Sequence, residues 1–476
     1  MNAQKIMAMV VALATAAGTS HAQVLTALHT FSAGTNSPGF LTNWDGASPL
    51  SDMVLSGNTL YGTAALGGVY GQGTIFSMNT DGSGFTVLHA LTGTNDGAGP
   101  NTHLLVEGGT IYGELNNGTN LPDFGAVFSM ETNGSNFAIL YDFLTNTDGA
   151  APAEKGGLTM SGGTLYGTTF AGGITNAGSI FSVDTNGNFQ LLHLFQGNTD
   201  GKRSVGTLVL SSNVLYGTAS SGGTNPGSFG TVFSISTAGT NFTVLHTFGG
   251  ITAGDGSSPN AGVILSGNTL YGVTALGGTN NDGTVFSLNT DGSGYTVLHS
   301  FAGLGQNPQG VLWLHGDTLY GTTLGNGTTT QGSVFSIGTN GNNFTLLQTF
   351  SHVESTNNFT NTYGAELRGG LAMAGNVLYG SASLGGAYGN GTLFSLAIQP
   401  VISSLSLEGT NAVLNAANGF AGNTWSVLES ANLTLPLAEW TPVATNTLSA
   451  DGNFSIKATN VVNPEAAQGF YVLQQQ

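Results

Sequence analysis

This chain of 476 residues contains no cysteine, and only 6% of its residues are charged. The absence of cysteine excludes disulfide bonds and thiolate chemistry. Lysine and arginine number 6 against 24 acidic residues, which gives a net charge of −18. That balance argues against broad binding to nucleic acid or to anionic membranes. Beyond the N-terminal segment, no stretch reaches the ~20 apolar residues of a membrane span. We therefore expect neither a nucleic-acid partner nor a membrane span.

The first 22 residues have the pattern of a secretory signal peptide. Lys5 supplies a positive charge, residues 6–17 form an apolar segment, and residues 20–22 fit a small-residue cleavage site. We expect the mature chain to begin at Gln23. The sequence thus predicts an exported bacterial protein that is extracellular or at the cell surface, with the periplasm as the alternative.

Glycine (76 residues) and phenylalanine (26 residues) are abundant and belong to a tandem repeat. Leu-Tyr-Gly recurs seven times, once with isoleucine for leucine, and Gly-Thr-Val-Phe or a close variant follows each copy. The repeat period of about 50 residues is typical of propellers or arrays. The motif tyrosines are Tyr61, Tyr112, Tyr166, Tyr216, Tyr271, Tyr320 and Tyr379, and the motif phenylalanines are Phe76, Phe128, Phe181, Phe233, Phe286, Phe335 and Phe394.

A third motif, Leu-His-x-Phe, is out of step with the other two. Its first copy, residues 28–31, precedes the first Leu-Tyr-Gly, and no copy follows Phe394. Such an offset suits a ring in which the first strand completes the last blade. Each repeat also indicates four short strands, which in the fifth repeat are residues 261–265, 269–274, 283–289 and 295–301. We predict an all-β fold with a seven-bladed β-propeller over residues 23–398, in which strand 24–31 pairs with residues 392–396.

The C-terminal segment, residues 401–476, lacks Leu-Tyr-Gly and is poor in glycine. About six short strands alternate there with turn signals, and Trp425 and Trp440 could centre a small core. This pattern predicts an immunoglobulin- or fibronectin-like β-sandwich, a module that usually attaches, spaces or binds.

The repeated string of residues 60–63, 67–68 and 73–76 (Leu-Tyr-Gly-Thr, Gly-Gly and Gly-Thr-Ile-Phe) resembles the choice-of-anchor tandem repeat family called GloVer. The resemblance covers roughly residues 25–398, and the family occurs in secreted proteins of Verrucomicrobia and other bacteria. Residues 425–433 and 440–443 are similar to a C-terminal module of secreted verrucomicrobial proteins. The resemblance implies export and often a C-terminal sorting anchor, although no Pro-Glu-Pro sorting motif is present. It implies no known reaction.

Five histidines share one repeat phase. We expect them on the outermost strand of each blade, too far apart to ligate one metal ion, and interpret them as packing and hydrogen-bonding residues. The other histidines have no partner at metal-ligand spacing, so the sequence predicts no metal and no cofactor. The repeated histidines are His29, His89, His193, His246 and His299, and Tyr141 and Gln348 occupy the same phase in the other two units.

Asp-Gly pairs also recur, in two sets. Asp81 and Asp291 are interpreted as hairpin-turn residues, because no complete calcium-binding loop follows. The second set precedes the first strand of a repeat and is interpreted as a turn, with carboxylates oriented toward a ligand or cation as the alternative. This second set comprises Asp45, Asp96, Asp148, Asp200 and Asp255.

No Gly-x-Ser-x-Gly elbow, phosphate-binding loop or HExxH motif occurs. Paired carboxylates for glycoside cleavage need only spatial proximity, so a sequence motif is not required for them. Glu114 replaces the threonine of Leu-Tyr-Gly-Thr and is the best single catalytic-acid candidate, with sequence drift as the alternative.

The predicted propeller contains only four cationic residues, Lys155, Lys202, Arg203 and Arg368. All four lie in connections between the fourth strand of one blade and the first strand of the next. We interpret them as an anion-binding patch, with chance or local pairing with Glu154 and Glu366 as the alternative. Such a patch would favour uronate-containing glycans.

These observations predict an exported, monomeric, non-catalytic binding or surface-interaction protein. Its ligand, a glycan or a protein, would lie on the face formed by the second-to-third-strand loops and the connections between blades. A secreted glycoside hydrolase or polysaccharide lyase with its site on the same face is the alternative. Binding is favoured because no catalytic constellation stands out.

Overall fold

The structure is a computed structural model that describes residues 23–37, 40–119, 124–143, 148–152, 156–173, 175–303, 305–325, 330–353, 360–398, 401–408, 411–417, 424–430, 439–447, 454–458 and 470–475. Within these residues the fold is all-β, with no α-helix and one short 3₁₀ turn at Ile251–Ala253. The expected signal peptide lies outside the described residues. No helix in the described ranges is long and apolar enough to cross a membrane.

The chain begins with one long strand and a short ribbon, after which antiparallel sheets follow one another. The opening strands are β1 (Val24–Thr30), β2 (Thr35–Ser37) and β3 (Phe40–Thr42). The first sheet contains β4 (Val54–Ser56), β5 (Thr59–Ala64), β6 (Thr74–Asn79) and β7 (Thr86–Ala90). The second contains β8 (Leu105–Glu107), β9 (Thr110–Leu115), β10 (Ala126–Glu131) and β11 (Ala138–Asp142). The third contains β12 (Ala150–Pro152), β13 (Thr159–Ser161), β14 (Thr164–Ala171), β15 (Ser179–Asp184) and β16 (Phe189–Leu194).

The next three sheets repeat this order. The fourth contains β17 (Lys202–Ser211), β18 (Val214–Ser221), β19 (Thr231–Ser236) and β20 (Thr243–Thr247). The fifth repeat contributes β21 (Gly256–Ser257), β22 (Ile264–Ser266), β23 (Thr269–Thr274), β24 (Leu276–Gly277), β25 (Thr284–Asn289) and β26 (Thr296–Ser300), of which β21 and β24 form a separate pair. The sixth contains β27 (Trp313–His315), β28 (Thr318–Thr323), β29 (Thr330–Gly338) and β30 (Thr345–Ser351).

The seventh sheet contains strands from both ends of the repeat region. It consists of β31 (Ala372–Ala374), β32 (Val377–Ala382), β33 (Thr392–Ala397) and β1, in that order. β1 is antiparallel to β33, with Val24 opposite Ala397 and Thr30 opposite Thr392. Seven sheets, six with four strands and the third with five, give a seven-bladed propeller.

Buried apolar clusters connect every pair of neighbouring blades. Each cluster joins the motif tyrosine of one blade to the motif phenylalanine of the next. The cluster that joins the last blade to the first contains Tyr379, Met53 and Phe76. All seven motif phenylalanines are fully buried, and six of the tyrosines are buried while Tyr271 is half-buried. The motif aromatics are therefore packed between neighbouring blades, and Tyr271 is the least buried of them.

The Leu-Tyr-Gly and Gly-Thr-Val-Phe motifs meet across the two central strands of each blade. In the fifth blade Gly272 lies opposite Phe286, and a Cβ on Gly272 would be 2.6 Å from the end of that ring. Only glycine therefore leaves room for the end of the phenylalanine ring at this position. The equivalent distances in the other six blades are 2.5 to 2.7 Å.

In the fifth repeat the strand expected at residues 269–274 is β23, with the same bounds, but the inner strand is shorter than expected and begins only at Ile264. The preceding backbone crowds its neighbour: a Cβ on Gly262 would lie 2.3 Å from the Thr207 carbonyl oxygen. The loop between β23 and β25 contains β24, which pairs with β21 of the connection between blades. The two kinds of loop therefore share one face, which we call the loop face.

The C-terminal segment forms two three-stranded antiparallel sheets. Its strands are β34 (Val401–Glu408), β35 (Asn411–Ala417), β36 (Thr424–Ser430), β37 (Thr441–Thr447), β38 (Phe454–Ala458) and β39 (Phe470–Gln475). One sheet has the order β34-β35-β38 and the other β37-β36-β39. Leu414, Val427 and Trp440 are buried, whereas the side chain of Trp425 is outside the description.

Candidate functional site

The repeated histidines and the second set of Asp-Gly aspartates pair with one another. In four repeats a histidine Nε2 lies 2.8 to 3.1 Å from an aspartate Oδ2, and in the third repeat the Tyr141 hydroxyl donates to Asp148 at 2.7 Å. The histidine pairs are His29–Asp45, His89–Asp96, His193–Asp200 and His246–Asp255. From their sequence positions the histidines were interpreted as packing and hydrogen-bonding residues and the aspartates as turn residues, and their pairing was not predicted.

These pairs connect the outer strand of a blade to the connection that leads into the next blade. Asp200 also accepts hydrogen bonds from the backbone N–H groups of Gln196 and Gly197, while His193 stacks on Phe242 of the next blade at 3.9 Å. Burial alone would raise the pKa of Asp255, but hydrogen bonds from His246, Tyr295 and a backbone N–H hold it below its ordinary value. The aspartates are therefore engaged in structural contacts. Among the described residues, no group of three histidine, aspartate or glutamate side chains could hold a metal ion.

Shortly after each aspartate position, one residue per repeat has a positive φ. Six of these seven residues are not glycine and have φ values of 47° to 60°, a conformation that costs of order 1–3 kcal/mol. Each donates its backbone N–H to a carbonyl in the preceding blade at 2.6 to 3.0 Å, which holds the conformation in place. We call them the rim residues: Ser48, Gly99, Ala151, Arg203, Ser258, Asn307 and Glu366.

A cavity of about 620 Å³ opens among these loops, and we call it the central cavity. Its lining residues come from six of the seven blades, so it lies at the centre of the ring. Asparagine and glutamine amides, serine hydroxyls and small apolar groups share the lining. Lining side chains with polar or aromatic groups include Asn116, Phe170, Arg203, Asn260, Gln309 and Arg368.

Two of the four cationic residues of the predicted anion-binding patch line the central cavity. The Arg203 guanidinium lies 5.2 Å from the centre of the Phe170 ring and forms no ion pair with a described residue. Arg368 donates to Glu366 at 2.9 Å, so its charge is partly neutralised. Lys202, the first residue of β17, is not among the lining residues. Lys155 lies outside the described residues.

A void of about 10 Å³ adjoins the central cavity and shares Gln309 and Arg368 with its lining. We call this void the base of the cavity. His103 and Asp52 lie there, with Nδ1 of His103 3.3 Å from Oδ2 of Asp52, in an orientation that does not meet hydrogen-bond geometry. A void of that size holds at most one water molecule. Sequence reasoning missed this pair, although both residues follow the repeated aspartate position by the same number of residues.

Glu114, the predicted catalytic-acid candidate, lies in β9 and is fully buried. Neither of its carboxylate oxygens has a hydrogen-bond partner, and burial raises the pKa of the carboxyl group to about 8. Glu114 is not among the residues that line the central cavity or its base. In the structure the Glu114 side chain is therefore part of the buried interior of a blade.

The family model of the Gloeobacter/Verrucomicrobia repeat matches residues 18–229 and 226–426. A search of curated proteins finds no match.

Solved structures of similar fold include an oligogalacturonate lyase in complex with manganese, with a TM-score of 0.47, 11% identity and coverage of 79% of this chain and 97% of that chain. PorZ, a surface component of the type-IX secretion system of Porphyromonas gingivalis, has a TM-score of 0.46, 11% identity and coverage of 93% and 60%. A chain of a nidogen/laminin complex has a TM-score of 0.39, 15% identity and coverage of 63% and 94%. These TM-scores are too low to carry information about ligand or reaction.

Proposed function

The chain belongs to the Gloeobacter/Verrucomicrobia repeat family, and on that premise we propose that it is an exported, non-catalytic protein that binds a glycan in its central cavity. The volume of about 620 Å³ falls within the ~300–1,000 Å³ of small-molecule sites. A protein ligand, the alternative, would need about 800 Å² of contact on each partner, and the cavity alone does not provide that.

The observation that carries the proposal is the chemistry of the lining. The amides of Asn116, Asn260 and Gln309 offer both donors and acceptors, which suits sugar hydroxyls that also do both. Phe170 offers an aromatic surface and Arg203 a cation beside it. A glycan with polar edges and at least one anionic group matches this combination.

An enzyme of the hydrolase or lyase class remains the alternative function. Glycoside hydrolysis usually needs two carboxyl groups about 5 to 9.5 Å apart around the scissile bond. Among the described residues that line the central cavity there is no aspartate or glutamate, and Glu114 lies elsewhere. This lining favours binding over catalysis.

Three structural expectations belong with this proposal. Residues 1–22 are removed on export, and the mature chain is a monomer. The pairing of β1 with β33 closes the last blade and so holds the ring together. The two C-terminal sheets pack as an immunoglobulin-like sandwich that attaches or spaces the propeller.

A glycan-array screen of the mature chain, followed by a product assay on each bound glycan, tests the proposal. We expect a subset of glycans to bind and to be recovered uncleaved. Asn260→Trp, which fills the cavity, should abolish this binding, whereas Asn268→Trp, at an exposed turn, should not. Cleaved products would establish the enzymatic alternative, and the absence of any bound glycan would refute glycan binding.

A further inference from the structure

We propose that the central cavity receives a carboxylate-bearing sugar at the end of a saccharide chain, with the carboxylate bound to Arg203. This inference rests on the proposed function and specifies its ligand class. Three features of the cavity support it. Hydrogen bonds fix the backbone of Arg203, the charge of the lining is unevenly distributed, and the base of the cavity is too narrow for a saccharide chain.

The backbone of Arg203 is fixed on both sides. Its N–H donates to the Ala177 carbonyl at 2.7 Å, its own carbonyl accepts a hydrogen bond from the Ser220 hydroxyl at 3.1 Å, and its φ is 60°. The guanidinium lies over the Phe170 ring, and the side chain is exposed to the cavity. The contact with the ring uses none of the N–H groups of the guanidinium, and its planar N–H edge matches a carboxylate in a two-point hydrogen bond.

The charge of the lining is concentrated at the fourth blade. Arg203 belongs to that blade and has no acidic partner among the described residues, whereas Arg368 of the seventh blade already pairs with Glu366. At the base, the Asp52 carboxylate faces His103 and would repel a second carboxylate. A single carboxylate is therefore most favourably placed beside Arg203 and away from Asp52.

The base of the cavity excludes a chain that passes through. This void measures only about 10 Å³ and is lined by residues of four blades. The inner backbones of the fourth and fifth blades are also in close contact, since a Cβ on Gly206 would lie 1.9 Å from the nitrogen of Gly262. A polymer cannot thread along the axis, so the cavity accepts a chain end or the tip of a branch.

Calorimetric titration of the mature full-length chain tests the inference. The probes are homo-oligomers of glucuronic acid with one to six sugars and their carboxyl-reduced counterparts, which are glucose oligomers of the same linkage. A hydrogen bond to a charged group contributes ~1.5–3 kcal/mol, so we expect the acidic probes to bind about 10- to 100-fold more tightly. The affinity should stop rising after the first few sugars, because further sugars lie outside the cavity.

Substitution of Arg203 locates the carboxylate. Arg203→Asn keeps a residue that tolerates positive φ, and it should reduce the affinity for glucuronate probes to that for glucose probes. Lys202→Asn is the matched control, because Lys202 is the adjacent cation and is not among the lining residues; it should leave both affinities unchanged. Arg203→Gly, which suits a φ of 60° without strain, repeats the test if Arg203→Asn folds poorly.

The outcomes separate this inference from the function on which it rests. If neutral and acidic oligomers bind equally, or if Arg203→Asn keeps the preference, the carboxylate assignment is wrong while glycan binding stands. An affinity that rises with every sugar up to six would refute binding of a chain end. If no saccharide binds, the proposed function fails and the inference fails with it.

Discussion

Glu114 occupies a position at which five of the other six blades place a hydroxyl group, while the fifth blade has Val273 there. Thr218, Thr322 and Ser381 donate from that position to a backbone carbonyl that lies three residues before the inner strand of the next blade. Glu114 makes no such bond, and its pKa is raised to about 8 by burial. The folded protein therefore holds this carboxyl group in its protonated form at neutral pH.

The protonation of Glu114 should make the stability of the protein depend on pH, and replacement of Glu114 should remove that dependence. The folded state binds the proton more tightly than the unfolded state, whose pKa is near 4.5. The contribution of Glu114 to stability is therefore greatest below pH 4.5 and is lost as pH rises to about 8. Glu114→Thr should restore the repeat's hydroxyl and remove this decline. Chemical denaturation at pH 5 and pH 9 measures it, with exposed Glu107→Thr as the control. A decline that persists unchanged in Glu114→Thr would assign the pH dependence to other groups.

At the scale of the strand pair, the motif glycine and the motif phenylalanine should be energetically coupled. Gly272→Ala places a Cβ 2.6 Å from the Phe286 ring and should destabilise the protein by about 1–3 kcal/mol through overpacking. In a Phe286→Leu background the same substitution should cost less, because the ring is gone. Unfolding free energies of the four proteins give the coupling.

The control for this cycle is Gly272→Ala combined with Phe128→Leu, a motif phenylalanine of the second blade. Because the two sites share no contact, their effects should add within about 0.5 kcal/mol. Additivity of Gly272→Ala with Phe286→Leu as well would show that the two motifs do not constrain one another.

The pairing of β1 with β33 gives a second prediction for an element. Deletion of residues 23–32 removes that strand together with the fully buried Phe31, and truncation of a buried phenylalanine to alanine alone costs about 3–5 kcal/mol. The melting temperature should fall sharply, and a synthetic peptide of residues 23–32 should restore it in a concentration-dependent way. A scrambled peptide is the control, and an unchanged melting temperature of the deleted protein would refute closure by this strand.

Much of each blade could be predicted from the sequence, because the motifs are themselves packing units. Leu-Tyr-Gly and Gly-Thr-Val-Phe recur because Gly272 and Phe286, and their equivalents, must fit against each other in every blade. The pairing of His193 with Asp200 was not predicted, since it depends on the chain turning back between the outer strand and the next blade. The repeated phase of both residue types was the available signal.

The candidate site was predictable only in part. The sequence analysis predicted Arg203 and Arg368 on one face and offered local pairing with Glu366 as the alternative, which is found for Arg368. It could not show that Arg203 is left without an acidic partner among the described residues. The positive φ of Arg203 was equally hidden, because a hydrogen bond to the preceding blade holds it there, and no local pattern specifies it. The wrong expectation for the inner strand of the fifth blade has the same origin in contacts between blades.

For the whole molecule, a net charge of −18 opposes the approach of an acidic saccharide to a single local cation. Long-range repulsion is screened over ~10 Å at 0.1 M salt, whereas the contact with Arg203 is shorter and screened less. The affinity for a glucuronate dimer should therefore rise as salt increases from very low levels and then fall at high salt. Titrations over a salt series measure this, and a steady fall from the lowest salt onward would contradict it. In Arg203→Asn the falling limb should be absent.

The most direct test of the central claim is a crystal structure of the mature protein with a bound glucuronate dimer. The claim is that the propeller binds its ligand in the cavity at the centre of the loop face. We expect the terminal sugar in that cavity, with its carboxylate within about 3 Å of the Arg203 guanidinium and its ring beside Phe170. A dimer bound to the C-terminal sheets or to the outer edge of a blade, with the central cavity unoccupied by sugar, would contradict the claim.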